Sequence, residues 1–259
     1  MNIFKQYYKS LFSPKDIAMF RFQGIGKSIL YVFLLTLIFS LPDMVYYSKE
    51  VATSVSAVKE SFSEDVPSFV IEDGVLSSEN KEPYSERKGD LGIVVDSSGA
   101  LEPSDIRAMG ETLAFLKNEL VWTVGGKNET IPYTMFAGAP FSNKDVESFF
   151  TFANDSLAIF IPILVLTLYI TYLGMKFIEV TFLAFFGLLL KNLAGRKLQY
   201  RHLWRMSAYS ITMSTTFFTI MALLKTQVPS GFMINWFVSA TILLLAIKEV
   251  PASKKAKKQ

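Results

Sequence analysis

Residues 157–190, LAIFIPILVLTLYITYLGMKFIEVTFLAFFGLLL, decide the architecture. The stretch is apolar apart from Lys176 and Glu179, which sit near its middle. Fully helical, it would run roughly 51 Å at 1.5 Å per residue. That is too long for one upright crossing of ~30 Å of hydrocarbon and short for two. Charge on either side settles the count, because cytoplasmic loops next to spans are enriched in Lys and Arg. After the stretch come Lys191, Arg196, Lys197, Arg201 and Arg205 with no acid among them. Before it, the region from Asp43 to Asp155 holds 20 acidic and 9 basic residues. The acidic region is therefore expected outside and the basic loop 191–206 inside, so 157–190 crosses once. Tilt, a bend at Pro162 or Gly174, or a surface-lying end takes up the surplus length.

Three further apolar runs follow outward from this segment. The first is charge-free, SILYVFLLTLIFSLP at 28–42, with Tyr46 and Tyr47 as interfacial anchors. It is expected to be an uncleaved anchor, because a signal peptide would have far too long an n-region and a cleavage site well past the apolar core. The others are 207–224 and 232–247, joined by 225–231. The N-terminal segment carries Lys5, Lys9, Lys15, Arg21 and Lys27 against Asp16, and the chain ends with Lys254, Lys255, Lys257 and Lys258. Both ends should lie with loop 191–206 in the cytoplasm.

The expected architecture is thus an integral membrane α-helical bundle of four spans in the plasma membrane, with an inserted extracytoplasmic α+β domain. Residues 1–27 form a cytoplasmic amphipathic segment, 28–44 the first span, 45–155 the outer domain, 156–249 the bundle and 250–259 the tail. Five spans are the alternative, and would put 191–206 outside. A content of 51% hydrophobic residues against 19% charged, with no Cys, excludes a wholly soluble enzyme, a disordered chain and a disulfide scaffold. An exported domain without Cys fits a bacterial, Gram-positive surface.

Within 45–155 the spacing of Val51, Val55, Val58 and Phe62 predicts a helix continuing from the first span. PSFVIEDGVLSSE at 67–79 predicts a hairpin turning at Asp73-Gly74. A strand is expected at 91–95 and a helix from Pro103 with Ile106, Met109, Leu113 and Leu116 on its core face. Strands follow at 119–124 and 130–136, then a helix capped by Ser142. Residues 78–90 are expected to be a loop.

Chemistry is sparse. There is no phosphate-binding glycine loop and no metal-ligand spacing, so no cofactor or metal is expected. Asp96 ends an apolar strand, where phosphotransferases keep a nucleophile, but the second acid two positions on is Ser98. A strand-end turn accounts for it better, and the chain is read as a non-enzyme. Lys176 and Glu179 lie three apart on one helical face and can pair, and an ionisable pair inside a bilayer is a functional hypothesis. Ser207, Ser210, Thr212, Thr215, Thr216 and Thr219 form a hydroxyl face that suits helix packing or, alternatively, a solute path. Arg196, Lys197, Arg201 and Arg205 are candidate contacts to an anionic inner leaflet, beside His202 and Trp204. Ile3, Phe4, Tyr7, Tyr8, Leu11 and Phe12 share a face with Lys5 and Lys9 at its edges, which predicts an in-plane amphipathic helix rather than a nucleic-acid-binding one.

The stretches SPKDIAMFRFQGIGKSILYVFLLTLIFSLP, FVIEDGVL, IVVDSSG and LLLKNLAGRKLQYRHLWRMSAYS resemble the DUF1189 family of Firmicute membrane proteins over nearly the whole chain. Residues 180–225 are similar, more weakly, to the Yip1-type membrane domain, whose five spans keep that alternative open. The resemblance implies no catalytic residue. It implies a link to maltodextrin uptake, and hence a transporter or another membrane protein as partner. Two functions are carried forward: an accessory or sensory component at the cell surface, and a small transporter or channel subunit using Lys176, Glu179 and the hydroxyl face.

Overall fold

The computed structural model describes residues 2–252 except 65, 125 and 137–139, with the side chains at 63, 64, 124 and 136 also outside the description. The lysines expected to end the chain inside the cell, Lys254 to Lys258, lie outside the described residues. In chain order the elements are α1 (Ile3–Phe12), α2 (Pro14–Phe20), α3 (Ile25–Glu64), β1 (Phe69–Glu72), β2 (Val75–Ser78), β3 (Tyr84–Lys88) and β4 (Leu91–Val95). Then come α4 (Pro103–Ala108), β5 (Thr112–Phe115), β6 (Glu119–Val124), β7 (Lys127–Pro132), β8 (Phe141–Ser142) and α5 (Asn143–Asp155). The last four are α6 (Leu157–Leu193), α7 (Tyr200–Ser210), α8 (Thr212–Leu223) and α9 (Gly231–Lys248). The chain divides into a helical unit, Met1–Tyr46 with Ile163–Gln259, and an α+β unit, Tyr47–Pro162.

Three helices are long and apolar enough to cross a membrane: Ile25–Phe62, Leu157–Leu193 and Gly231–Lys248. The expected continuous helix over 207–224 is instead divided at Ile211 into the end of α7 and the 12 residues of α8. Its hydroxyls supply the reason. Ser210, Thr212 and Ser214 each donate to a carbonyl three or four positions back, and such bonds compete with the helical ladder and bend it. The core of the helical unit gathers Ile17 and Phe20 of α2, Tyr31 and Leu35 of α3, Leu183 and Ala184 of α6, and Leu203, Met206 and Tyr209 of α7. Leu243 and Ala246 of α9 complete it. Gly187 of α6 permits the close approach there, since a Cβ at that position would come within 3.2 Å of Leu243 and 3.3 Å of Leu203.

The α+β unit holds two sheets, β2-β1-β8 and β3-β4-β5-β6-β7. The β1–β2 hairpin turns at Asp73 (φ 51°) and Gly74 (φ 81°), the paired positive φ of a tight two-residue turn. In the larger sheet β4 and β5 are parallel, joined by a crossover through α4, and the other pairs are antiparallel. One side of the unit's core packs Val94, Ala114, Leu116 and Val121 against Ile106. The other packs Ile93, Val95, Leu113 and Phe115 with Val58, Phe62, Phe69, Ile71 and Val146.

Three expectations fail in this unit, the shortest being the strand at 130–136, which ends at Pro132 and gives way to a 3-10 turn over Tyr133–Phe136. The helix from Pro103 stops at Ala108, before Gly110 at φ 79°, and Leu113 lies in β5 instead of on the same helix. All four residues of β5 are buried, and a strand covered on both faces loses the alternation that would mark it. Residues 78–90 are not simply a loop, because Tyr84–Lys88 forms the edge strand β3, paired with β4 along its whole length. Its polar, charged sequence is how edge strands resist further pairing.

Candidate functional site: a polar seam in the helical unit

Lys176 and Glu179 lie one turn apart on α6, and Lys176 Nζ is 2.9 Å from Glu179 Oε2. Neither charge depends on the other alone. Lys176 also donates to Thr215 Oγ1 of α8 at 3.0 Å, and Glu179 Oε1 accepts from Asn235 Nδ2 of α9 at 2.7 Å. The pair therefore joins three helices. Next to it Ser214 of α8 and Ser239 of α9 bond hydroxyl to hydroxyl at 2.8 Å, both fully buried. Trp204 Nε1 of α7 donates to Thr181 of α6 at 3.3 Å, and the Trp204 ring stacks on Phe177.

The rest of the hydroxyl face continues the seam toward the N-terminus. Thr212 Oγ1 is 2.7 Å from Tyr31 Oη, and Thr216 Oγ1 is 3.1 Å from Tyr7 Oη. The Thr219 hydroxyl lies 2.9 Å from the Thr215 carbonyl of its own helix and 3.2 Å from that of Phe39, and Ser210 donates to the Met206 carbonyl at 3.0 Å. Ser207 is fully buried, and its hydroxyl has no protein partner. The buried Tyr209 hydroxyl lies 2.9 Å from Gln6 and 3.0 Å from Gln23.

The basic stretch 191–206 spans the end of α6, the turn after it and the start of α7, and its cations divide in two. Arg196 donates to the Lys248 carbonyl at 3.0 Å and Arg205 to the Arg21 carbonyl at 2.9 Å, so both are spent partly on closing helix ends. Lys197 and Arg201 are exposed. Burial first, then Arg201, Arg205 and Arg21, hold the His202 imidazole below its usual pKa, which favours the neutral ring. Among the described residues no group of three or more acids and histidines could hold a metal ion.

In the α+β unit the Asp96 carboxylate is buried and takes four bonds: Ser98 N (2.9 Å), Ser98 Oγ (2.5 Å), Gly99 N (3.2 Å) and Leu101 N (2.8 Å). Burial pushes its pKa up, but the Ser98 hydroxyl and the three backbone N–H groups outweigh it and hold the carboxyl below its ordinary value. Its acceptor capacity goes into shaping the turn after β4.

Reasoning from sequence singled out Lys176, Glu179 and the hydroxyl face but passed over Asn235, Ser239, Thr181, Gln6, Gln23, Tyr31 and Tyr209. A signal existed for Asn235, the one amide within the apolar run 232–247, and for Gln6, an amide among aromatics.

The model of a family described as protein of unknown function, DUF1189, matches residues 4–247, and the chain belongs to that family. The likeness of 180–225 to the Yip1-type domain is not shown by this match. No curated protein and no solved structure matches the chain.

Proposed function

We propose, with membership of DUF1189 as the premise, that this chain is a non-enzymatic accessory or sensory component of the cell surface. The α+β unit binds a ligand or partner outside, and the helical unit anchors it and docks a membrane protein such as a carbohydrate transporter. The observation that carries this reading is a unit with its own two-sided core, Tyr47–Pro162, set in sequence between two long apolar helices. The acidic balance of that unit and the basic stretches around 1–27 and 191–206 favour four crossings, α7 with α8 supplying one, with both termini inside.

The transporter reading draws on the charged pair within α6. Lys176 and Glu179, however, direct their bonds to each other, to Thr215 and to Asn235, which favours helix adhesion over a solute path. Purification from native membranes tests the proposal: a specific membrane-protein partner is expected, and no partner at any detergent strength overturns it. Reporters at 191–205 and at the C-terminus should both read cytoplasmic. Flux in reconstituted vesicles that disappears when Lys176 and Glu179 are both replaced by Leu would establish the transporter reading instead.

A further inference from the structure

The single apolar face expected of the N-terminal helix is divided between two sides. Gln6 and Ser10 are buried, and Ile3 and Tyr7 pack on the bundle core. Phe4, Tyr8 and Phe12 stand outward, 73%, 66% and 69% exposed, with the Tyr8 and Phe12 rings in edge contact at 5.5 Å. Three aromatics at i, i+4 and i+8 form one continuous ridge on a helix. A ridge of that size left in water is unfavourable, and such patches mark a surface that meets another apolar phase.

The contacts of α1 fix which phase that is. The Tyr7 ring stacks on Phe39 of α3, with centroids 5.5 Å apart, and its hydroxyl meets Thr216 of α8. The Thr219 hydroxyl of α8 lies 3.2 Å from the Phe39 carbonyl, so these residues share one level of the helical unit. From Ser28, where the first apolar run starts, Phe39 lies roughly 16 Å along the helix at 1.5 Å per residue, about half of the ~30 Å hydrocarbon core. Next to Tyr7, Gln6 reaches Tyr209, and the Tyr209 ring lies tilted against that of Tyr31 with centroids 4.4 Å apart. At the other end of α1, Lys9 pairs with Asp16 where the chain turns at Ser13-Pro14 into α2.

We propose that α1 is a re-entrant helix set into the cytoplasmic half of the bilayer, its polar edge closing the Tyr31–Tyr209–Thr212 cluster and its Phe4–Tyr8–Phe12 ridge against lipid acyl chains. Amides and hydroxyls on the bundle side find partners there, which is the condition for placing them at that depth. Lys5, exposed beside the ridge, extends its ammonium toward the headgroups, and Lys15 and Arg21 at the turn and in α2 meet an anionic leaflet. The inference rests on the proposal above in placing α3 and α8 in the bilayer and the N-terminal side in the cytoplasm.

The chain has no Cys, so single spin labels can be placed without other changes. Full-length F4C, Y8C and F12C variants in liposomes containing anionic lipid are compared with K15C and with L37C, on an exposed part of α3. Collision with oxygen reports acyl chains, and collision with a water-soluble nickel chelate reports water. Expected are high oxygen and low nickel access at positions 4, 8, 12 and 37, and nickel access at 15. Nickel access at 4, 8 and 12 as high as at 15, with 37 still in lipid, overturns the re-entrant helix alone. Low access to both reagents at the ridge overturns it in favour of a protein cover. Nickel access at 37 overturns the membrane placement of α3 and the inference with it.

Discussion

In the helical unit Glu179 takes its bond from Asn235, 56 positions along the chain, and Tyr209 reaches Gln6 across 203 positions. In the α+β unit Asp96 collects its donors from Ser98, Gly99 and Leu101, all within five positions. Buried polar groups thus serve different ends in the two units. Among the helices they join elements that apolar packing alone orients weakly in lipid, where there is little hydrophobic drive between helices. In the α+β unit water supplies that drive, apolar side chains fill the core, and polar side chains shape turns.

The sharpest way to break this contrast is through the apolar core of the α+β unit. Phe115 packs against Phe62 and Phe69, with ring centroids at 5.5 and 5.2 Å. Phe115→Ala should cost about 3–5 kcal/mol. Hydrogen exchange on the full chain should then show protection lost in β3–β7 while α7 and α9 keep theirs. Equal loss in α7 and α9 would mean the two cores are not separate.

Next in size is the charged pair. Glu179→Leu leaves Lys176 and Asn235 without their shared partner and should cost about 1.5–3 kcal/mol, the range for hydrogen bonds to charged groups. Replacing Lys176 and Glu179 together by Leu should restore much of that, as replacing a whole buried pair by apolar residues often does. Unfolding from bicelles measures both. A double variant weaker than the single would show that the charges do more than hold α6 to α8 and α9.

Asp96→Asn should cost about 1–2 kcal/mol, because the amide turns an NH2 toward backbone donors. The pH dependence follows from the direction of the shift. The folded carboxyl has a lower pKa than the unfolded one, so its contribution is complete above the unfolded value of about 4 and is lost as pH falls through the folded value. The difference in β4 protection between wild type and variant should therefore narrow below about pH 4. A gap that stays constant in acid would assign the turn's stability to something other than ionised Asp96.

The same contrast explains what could be read in advance. The Asp73-Gly74 turn, the helix start at Ser142 and the turn after Asp96 are local chemistry, set by neighbours in sequence, and all were legible. The apolar character of α3, α6 and α9 was legible for a similar reason, since length and composition suffice. β5 was not, because its burial on both faces erases the period that marks a strand, and β3 was not, because an edge strand resembles a charged loop. Thr215 stood out on the hydroxyl face, and Asn235 is the one amide of its apolar run, but the pairing of Lys176 with the one and of Glu179 with the other was out of reach, since nothing local sets it. The division of the N-terminal face, with Ile3 and Tyr7 on the bundle and Phe4, Tyr8 and Phe12 outward, was not legible, because nothing local marks Gln6 and Ser10 as the buried positions.

The smallest effect tests the contrast most finely. Ser214 and Ser239 are both buried and bond only at 2.8 Å across α8 and α9, apart from the Ser214 bond back to Ile211. If polar bonds join these helices, Ser214→Ala and Ser239→Ala should couple in a double-mutant cycle by about 0.6 kcal/mol, the average for such pairs in membrane proteins. The value is small because each hydroxyl, once freed, can turn to a carbonyl in its own helix, as Ser214 already does. A coupling near zero would mean that close packing of small side chains holds α8 to α9 and the bond only accompanies it. The larger loss expected for Glu179→Leu would then reflect charge alone, and the polar seam would reduce to Lys176, Glu179, Thr215 and Asn235.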